Sequence, residues 1–433
     1  MRAAELREPA GRFAPHRVLG SAFGRNVAET FGTRVALLAL GFVASVMVAR
    51  ALGPAGRGYY AVAVAMTGMG TQLGNLGLHA SNTYLVARDR ALLPRLLTNT
   101  LLVGFGVGGA GAATAFAIFY ARPDLAPVYG WVLLISAAAI PFALTALLLQ
   151  SLLLGIQEIR AYNKIDASTA ALSFSLVALL VWAGSVRVDA LMGITLLVAA
   201  TGFGWTVAEL RRRTPAPGAP SWPLLRTSLR YGARAYLAAL FAFLAQRGDL
   251  LIVNRLLGSE QAGYYAVAAN VAAIASVFPT VVGTILFPRL SAIGDARERW
   301  RFTKRVIGLV AVLVTLFSGC LALLAPALIR LTFGAMFEPA ITPFYWLLPG
   351  VVLLSVNTIL MNYFASIGHP PFSVYAWAAA AGVNILLNAV FVPRFGISGA
   401  AIASTLTYSV LVLSCAVYAM RSVPRRQAPA WEP

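Results

Sequence analysis

Long apolar runs, separated by short charged clusters, dominate this sequence. Hydrophobic residues make up 59% of the 433 residues and charged residues only 11%, whereas about 25% of residues are charged in an ordinary soluble domain. Inside a bilayer there is no water to bind the backbone, so each run must satisfy its own hydrogen bonds, as a helix does. The runs are continuous and do not alternate, which excludes a transmembrane β-barrel. The sequence therefore predicts an all-α, polytopic integral membrane protein.

The apolar runs predict about twelve transmembrane helices. They lie near residues 31–50, 59–83, 96–120, 129–154, 165–184, 189–209, 231–253, 261–287, 304–329, 341–365, 372–392 and 397–420. The first run begins too late for a cleaved signal peptide, so residues 1–28 are predicted to be a tail. Cys320 and Cys415 stand singly in apolar runs and are predicted to be small packing residues, with no disulfide or metal framework.

The basic residues predict the orientation. Most of the 34 Lys and Arg residues fall on the side of this topology that carries both termini, in clusters such as 2–25, 211–230, 289–305 and 421–426. By the positive-inside rule both termini are then cytoplasmic, in a cell inner (cytoplasmic) membrane. The net charge of +19 would attract anionic lipid headgroups, and a nucleic-acid partner is not expected.

One motif occurs twice. The segment LGPAGRGYYAVAVAM (Leu52–Met66) and the segment LGSEQAGYYAVAANV (Leu257–Val271) agree at 8 of 15 positions without a gap, at an offset of 205 residues. A second, shorter similarity pairs Gly155 and Tyr162 with Gly368 and Tyr375. A repeat at about half the chain length indicates a duplicated structural unit.

The repeat divides the chain into two halves. The Pro-rich, charged stretch RRRTPAPGAPSWPLLR (residues 211–226) predicts a cytoplasmic linker at 210–228 between an N-terminal six-helix bundle (29–209) and a C-terminal one (229–420), followed by a cytoplasmic tail (421–433). Six is an even number, so both halves enter the membrane from the same side. Such parallel repeats are arranged about an axis along the membrane normal, with the working site between them.

Catalytic signatures are missing from the sequence. The loops are too short for a soluble catalytic domain, and we find no HExxH, GxSxG or flanked phosphate-binding loop. The glycine run GFGVGGAG (Gly104–Gly111) lies within an apolar span and predicts close helix packing. The sequence predicts a protein that is not an enzyme and has no cofactor.

Three segments resemble the polysaccharide transport branch of the multidrug, oligosaccharidyl-lipid and polysaccharide flippase superfamily. They are residues 231–294, the first-half segment ARALGPAGRGYYAV (residues 49–62) and the late segment NILLNAVFVPRFGISGAAIAS (Asn384–Ser404). The first contains the residues similar to the family pattern, which are Gly232, Asp249, Leu257, Gly258, Gly263, Tyr264, Tyr265, Pro288 and Ser291.

The resemblance implies a function. It implies a flippase that moves a prenyl-pyrophosphate-linked oligosaccharide from the inner to the outer leaflet by alternating access, for O-antigen, capsule or exopolysaccharide synthesis. The implied partners are this lipid-linked oligosaccharide and the lipid bilayer, with polysaccharide polymerase machinery as a further candidate.

A pyrophosphate crossing the membrane needs buried cations, and an Arg at bilayer depth costs about 2.5 to 3.5 kcal/mol. The candidates are Arg34, Arg234 and Arg247. Arg34 and Arg234 lie near predicted helix ends, where snorkelling to the headgroups is the alternative. Arg247 is deeper and either faces a cavity or forms an ion pair near the outer interface. Asp249, two residues further on, is a further candidate substrate-binding residue.

A polar stripe is predicted in the second span. Gln72, Asn75, His79 and Asn82 are spaced three, four and three residues apart, on one face of a helix. This face either lines an aqueous cavity suited to sugar hydroxyls or hydrogen-bonds to a neighbouring helix.

The remaining polar positions are assigned simpler roles. The pair Asn384 and Asn388 is predicted to be structural. Glu158 and Asp166, which flank a cytoplasmic turn, are predicted to be solvated.

Two other functions remain open. A cation-coupled multidrug exporter on the same scaffold would need acidic residues in its cavity, and apart from Asp249 the spans contain no clear carboxylate. A membrane glycosyltransferase or ligase is disfavoured by the short loops.

Overall fold

The computed structural model describes residues 22–214, 218–368 and 370–422, without the side chains of 22–31, 33, 34 and 284. Most of the predicted N-terminal tail and of the C-terminal tail therefore lies outside the described residues. The described part of the chain consists of α-helices joined by short turns, without a β-strand. The helices are α1 (Ala22–Gly74), α2 (Leu78–Arg88), α3 (Leu93–Ala121), α4 (Gly130–Gly155), α5 (Ile159–Trp182), α6 (Val188–Arg211), α7 (Trp222–Leu257), α8 (Ser259–Ala273), α9 (Val277–Ala292), α10 (Ala296–Thr332), α11 (Ile341–Ser366) and α12 (Phe372–Ser422).

Helix α1 folds back on itself at Gly53. The backbone there has φ 66°, the left-handed region that glycine adopts without steric cost. Arg57 Nη2 donates to Ser45 Oγ over 3.2 Å, although twelve residues of straight helix would separate them by about 18 Å. The two arms of α1 are therefore antiparallel neighbours.

Helix α12 has the same construction at Gly396, where φ is 60°. Asn384 Nδ2 donates to Ser404 Oγ over 3.5 Å, across twenty residues that would span about 30 Å in a straight helix. The glycines at 53 and 396 thus turn α1 and α12 into helical hairpins.

Ten helical segments of the described chain are long and apolar enough to cross a membrane, including Val35–Gly74 and Phe372–Ser422. Because each of these two segments is a hairpin of two arms, the described chain contains twelve crossing segments, the number that the sequence predicts. The protein is a multi-pass membrane protein.

The second predicted span, 59–83, is not a continuous helix, which corrects the sequence prediction. The helix is interrupted between Gly74 and Leu78, with positive φ at Leu76 (48°) and Gly77 (84°). A Cβ on Gly77 would collide with the backbone of Gly232 in α7, and a Cβ on Gly232 would collide with Gly77. The break thus lets the backbones of α2 and α7 touch.

Two other boundaries also differ from the prediction. The span predicted at 261–287 is divided by a 3₁₀ turn at Ile274–Ser276 and continues to Ala292. The linker predicted at 210–228 is shorter, because α7 begins at Trp222. Ser221 explains this early start, since its side chain accepts a hydrogen bond from the backbone of Leu224 and caps the helix.

The two copies of the repeated motif lie against each other. A Cβ on Gly58 would collide with the backbone of Ser259 and Gly263, and a Cβ on Gly263 would collide with the carbonyl of Pro54. Gly58 and Gly263 are equivalent positions of the repeat. We call the interface between the two halves the seam, the contact at Gly58 and Gly263 its motif end, and the contact at Gly77 and Gly232 its break end.

The cysteines differ in environment. Cys415 is buried, as predicted for a packing residue, but Cys320 is exposed. The packing prediction is therefore wrong for Cys320, because that face of α10 is covered by no other part of the described protein.

Candidate substrate pathway between the two halves

Helix α7 runs along the seam from one end to the other. It packs against α1 and α2 of the first half and against α8 and α12 of the second half. Arg234 and Arg247 both lie on α7 and are exposed, about 20 Å apart along the helix at 1.5 Å per residue. The structure thus places two of the three candidate cations on one helix of the seam. The third, Arg34, is in α1, and its side chain lies outside the described residues.

The break end carries three residues of the polar stripe. Asn75 Oδ1 accepts a hydrogen bond from the backbone N–H of His79 over 3.2 Å and so caps the start of α2. Gln72 and His79 are half-buried, and His79 Nδ1 is buried without a hydrogen-bond partner in the described part of the chain. Tyr236 of α7 donates to the carbonyl of Leu73 over 3.0 Å, an acceptor that the break leaves without its helical partner.

Asn82 makes packing contacts. It is 1% exposed, and its Nδ2 donates to Thr100 Oγ1 over 3.0 Å and to the carbonyl of Leu148 over 3.3 Å. These bonds tie α2 to α3 and α4 within the first half, as the alternative interpretation of the stripe expects. The four stripe residues do not share one continuous helical face, because the break lies between Asn75 and His79.

Asp249 is held inside the second half. It is 5% exposed, and its carboxylate accepts hydrogen bonds from Tyr265 Oη and from Ser404 Oγ, the latter over 3.1 Å. The backbone N–H of Leu250 donates to it over 2.8 Å. Asp249 therefore joins α7 to α8 and α12, while the side chain of Arg247 is exposed.

Asn384 and Asn388 extend this network along α12. Both are fully buried. Asn388 Nδ2 donates to the carbonyl of Asn384 over 2.8 Å and to its Oδ1 over 3.1 Å, and Asn384 donates to Ser404. These bonds agree with the structural role predicted for the pair.

The motif end is closed by further contacts between the halves. Arg50 of α1 donates to the carbonyls of Leu331 and, over 2.6 Å, Thr332 at the end of α10. Asn254 Nδ2 donates to the carbonyl of Pro127 over 3.4 Å, and the rings of Phe42 and Phe333 meet edge to face with centroids 5.9 Å apart.

Sequence reasoning missed one buried cation. Arg57, in the repeated motif, is 6% exposed and is not among the candidate cations predicted from the sequence. A comparison of the two motif copies could have drawn attention to Arg57, because the second copy has the small, neutral Ala262 at the equivalent position.

An ion-pair cluster joins two turns of the first half on the predicted cytoplasmic side, which corrects the prediction that Glu158 is simply solvated. Arg213 lies 3.0 Å from Glu158 and 2.6 Å from Glu209. The hydrogen bond from Arg213 lowers the pKa of Glu158, and that bond also raises the pKa of Arg213. Asp166 is half-buried in α5.

Among the residues that the structure describes, no group of three or more His, Cys, Asp and Glu side chains could hold a metal ion.

These features define a multi-pass membrane protein of two packed helical halves with a polar, partly cationic seam between them. A family model described as "Polysaccharide biosynthesis protein" matches residues 23–293, more than half of the chain. The chain belongs to this family.

Relatives and solved structures are similar to the chain over different lengths. The protein named "Probable low-salt glycan biosynthesis flippase Agl15" from Haloferax volcanii is 23% identical over 195 residues, which is 44% of this chain and 41% of that protein. The match thus spans about two fifths of the length of that curated relative.

Two solved structures share the fold over nearly the whole chain. An inward-facing multidrug resistance MATE family transporter has a TM-score of 0.74 at 15% identity, covering 89% of this chain and 94% of that chain. The lipid II flippase MurJ in an inward closed conformation has a TM-score of 0.69 at 14% identity, covering 92% and 88%.

Proposed function

We propose that this protein is a flippase that moves a prenyl-pyrophosphate-linked oligosaccharide across the cytoplasmic membrane, in the synthesis of a cell-surface polysaccharide. One observation carries the proposal. The two halves meet in backbone contact at the motif end, while α7, which packs against helices of both halves, carries two exposed arginines at a distance from that contact. This arrangement suits a site that opens to one side of the membrane at a time.

The positions of the arginines support an anionic substrate. Arg247 lies eleven residues before Gly258, about 16 Å along α7 from the motif end, and is exposed on a helix that is apolar enough to cross a membrane. A guanidinium facing lipid at this depth would cost about 2.5 to 3.5 kcal/mol. A hydrated pathway that carries pyrophosphate avoids this cost, with Arg234 as the cation nearer the break end.

Gln72 and His79 supply polar groups suited to the sugar portion. Both are half-buried beside the break, where amide and imidazole groups can exchange hydrogen bonds with hydroxyls. In this proposal the prenyl chain stays in lipid while pyrophosphate and sugars pass along the seam. The termini are cytoplasmic, as the basic clusters predict, so that the motif end faces outward.

Relatives named as flippases support the proposal. The fold is shared with multidrug transporters, so a multidrug exporter is the competing function. Such an exporter would hold a cationic drug with a carboxylate that faces the seam. Asp249, the carboxylate in the described part of α7, instead accepts hydrogen bonds from Tyr265 and Ser404.

The test is reconstitution of the full chain in liposomes with a fluorescent prenyl-pyrophosphate oligosaccharide in both leaflets. A membrane-impermeant reductant that quenches the outer leaflet should quench nearly all of the fluorescence with the protein present and about half without it. A cationic dye supplied in parallel should not be moved. Transport of the dye alone would support the exporter, and a new glycosidic product would revive the transferase.

A further inference from the structure

Among the residues that the structure describes, Arg57 is a buried cation without an anionic partner. It stands in the first turn after the Gly53 kink, and its Nη2 donates to Ser45 Oγ while its Nε is buried without a hydrogen-bond partner. The ring of Tyr60 lies 5.8 Å from the guanidinium carbon. The ion pairs of the described chain do not include Arg57. An uncompensated buried charge is strongly destabilising, so its presence needs a reason.

The second copy of the motif shows that the fold does not need this cation. Ala262 occupies the equivalent position and is fully buried. A small neutral residue therefore fills this place in one half of the duplicated structure. The charge of Arg57 serves something other than the packing of the motif.

Arg57 is placed where the halves would separate. Ser45 Oγ, which accepts the bond from Arg57, also accepts one from Asn270 Nδ2 of α8 over 3.3 Å, and the next residue, Gly58, forms the backbone contact with the second half. Opening of the motif end would break the bond to Asn270 and expose the guanidinium.

Two other charged groups of the motif end, Glu260 and Arg50, are bonded to partners other than Arg57. The second arm of α1 and helix α8 both begin there, and helix N-termini carry partial positive charge. The acidic residue in the first turn of α8, Glu260, is exposed and accepts a hydrogen bond from Tyr264 over 2.8 Å. Arg50 is bound to the end of α10.

We propose that Arg57 binds a phosphate group of the lipid-linked substrate in the conformation that is open at the motif end. This inference rests on the proposed function and adds a second anion site beyond the arginines of α7. A guanidinium has five N–H donors in a planar fork that fits two phosphate oxygens at once, and here a single bond, to Ser45, is made. The bound phosphate supplies the negatively charged partner that Arg57 lacks, among the described residues, in the closed conformation.

The first experiment measures binding of farnesyl pyrophosphate to the full chain in phosphatidylcholine nanodiscs, with uncharged farnesol as the reference compound. Arg57→Met should weaken binding about tenfold or more, and Arg57→Lys less, because Lys keeps the charge without the fork. Arg255→Met is the matched control, because Arg255 is an exposed cation of α7 that also lies near the motif end. This variant should bind farnesyl pyrophosphate within about twofold of the wild type. Wild-type affinity in Arg57→Met would overturn the proposal.

Folding of the variants is checked by their melting temperature. Arg57→Met should melt at or above the wild-type temperature, because an unpaired buried charge is removed. Arg57→Ala, which copies Ala262, is the second variant and should bind as weakly as Arg57→Met.

A conformational measurement separates binding from packing. Pro127→Cys with Asn254→Cys, in a background without Cys320 and Cys415, reports closure of the motif end through a short thiol cross-linker. Farnesyl pyrophosphate should slow this cross-linking when Arg57 is present and not in Arg57→Met. Equal slowing in both proteins would contradict the assignment.

Two further probes identify the source of the phosphate. Inorganic pyrophosphate should compete with farnesyl pyrophosphate, and nanodiscs with phosphatidylglycerol should not abolish its binding. Abolition would assign Arg57 to a membrane-lipid headgroup and overturn the substrate assignment. Normal flipping by both wild type and Arg57→Met would refute this inference alone, whereas a wild type that flips nothing would refute the proposed function.

Discussion

Gly58 and Gly263 stand 205 residues apart in the chain and in direct backbone contact in the fold, at equivalent positions of the repeated motif. A contact between equivalent residues lies on or near the axis that relates the two halves. The repeat in the sequence is therefore also an interface in the structure. This explains why both copies retain a glycine at this point.

Replacing Gly58 by Ala should open the motif end. The added methyl group would overlap the backbone of Ser259 and Gly263, and backbone cannot give way as a side chain can. We expect cross-linking of Pro127→Cys with Asn254→Cys to slow about tenfold, a shift of about 1.4 kcal/mol. Gly109→Ala is the control, because nothing lies within 4 Å of its added Cβ. Unchanged cross-linking in Gly58→Ala would show that the contact does not hold the seam closed.

Arg50→Gln should weaken the same closure by a different route. The variant loses the charged hydrogen bonds to the carbonyls of Leu331 and Thr332, each worth about 1.5 to 3 kcal/mol at most. The cross-linking rate should fall severalfold. Arg122→Gln removes the same charge from a residue paired locally with Asp124, and a matching fall there would mean that charge alone, and not the contact, decides closure.

Asp249→Ala should destabilise the second half. The hydroxyl groups of Tyr265 and Ser404 would lose their buried acceptor, at a cost of about 1 to 3 kcal/mol. Ser404→Ala removes one donor and should cost less. Thermal unfolding in detergent measures both variants, and equal melting temperatures for Asp249→Ala and the wild type would exclude the anchoring role.

The sequence predicts the helices well and their interruptions poorly. Apolar length is a local property, so the twelve segments can be read from it. The break near Gly77 cannot, because its cause is the approach of Gly232 from another helix. Likewise Asp249 can be recognised as a buried carboxylate, but its partners Tyr265 and Ser404 come from distant helices.

The stripe illustrates the limit of periodicity. Helical spacing groups the polar residues of the second span, but it cannot tell Asn82, which is bonded to Thr100, from His79, whose Nδ1 has no hydrogen-bond partner among the described residues. A polar thiol reagent should therefore label His79→Cys and spare Asn82→Cys, in a background without native cysteines. Labelling at both positions would support the interpretation that the whole stripe lines an aqueous cavity.

Glu158→Gln should change how stability depends on pH. The hydrogen bond from Arg213 lowers the pKa of Glu158, so the carboxylate stabilises the fold above its unfolded pKa of about 4.3. That stabilisation is lost as the pH falls through the lowered folded pKa. The pair is partly exposed, so the difference is below about 1 kcal/mol.

The measurement is the melting temperature at pH 7 and near pH 3. Glu158→Gln should melt below the wild type at pH 7, and the difference should shrink at low pH. Glu298→Gln, an exposed carboxylate outside the ion pairs of the described chain, is the control. A difference that persists unchanged at low pH would assign the effect to something other than the carboxylate.

Flipping by protein locked at the motif end tests the central claim, that substrate crosses by opening of the seam between the halves. Pro127→Cys with Asn254→Cys is reconstituted in liposomes with a fluorescent prenyl-pyrophosphate oligosaccharide, cross-linked with a reducible reagent, and assayed before and after reduction. We expect no flipping in the cross-linked protein and wild-type flipping after reduction. Full flipping by the cross-linked protein would contradict the claim.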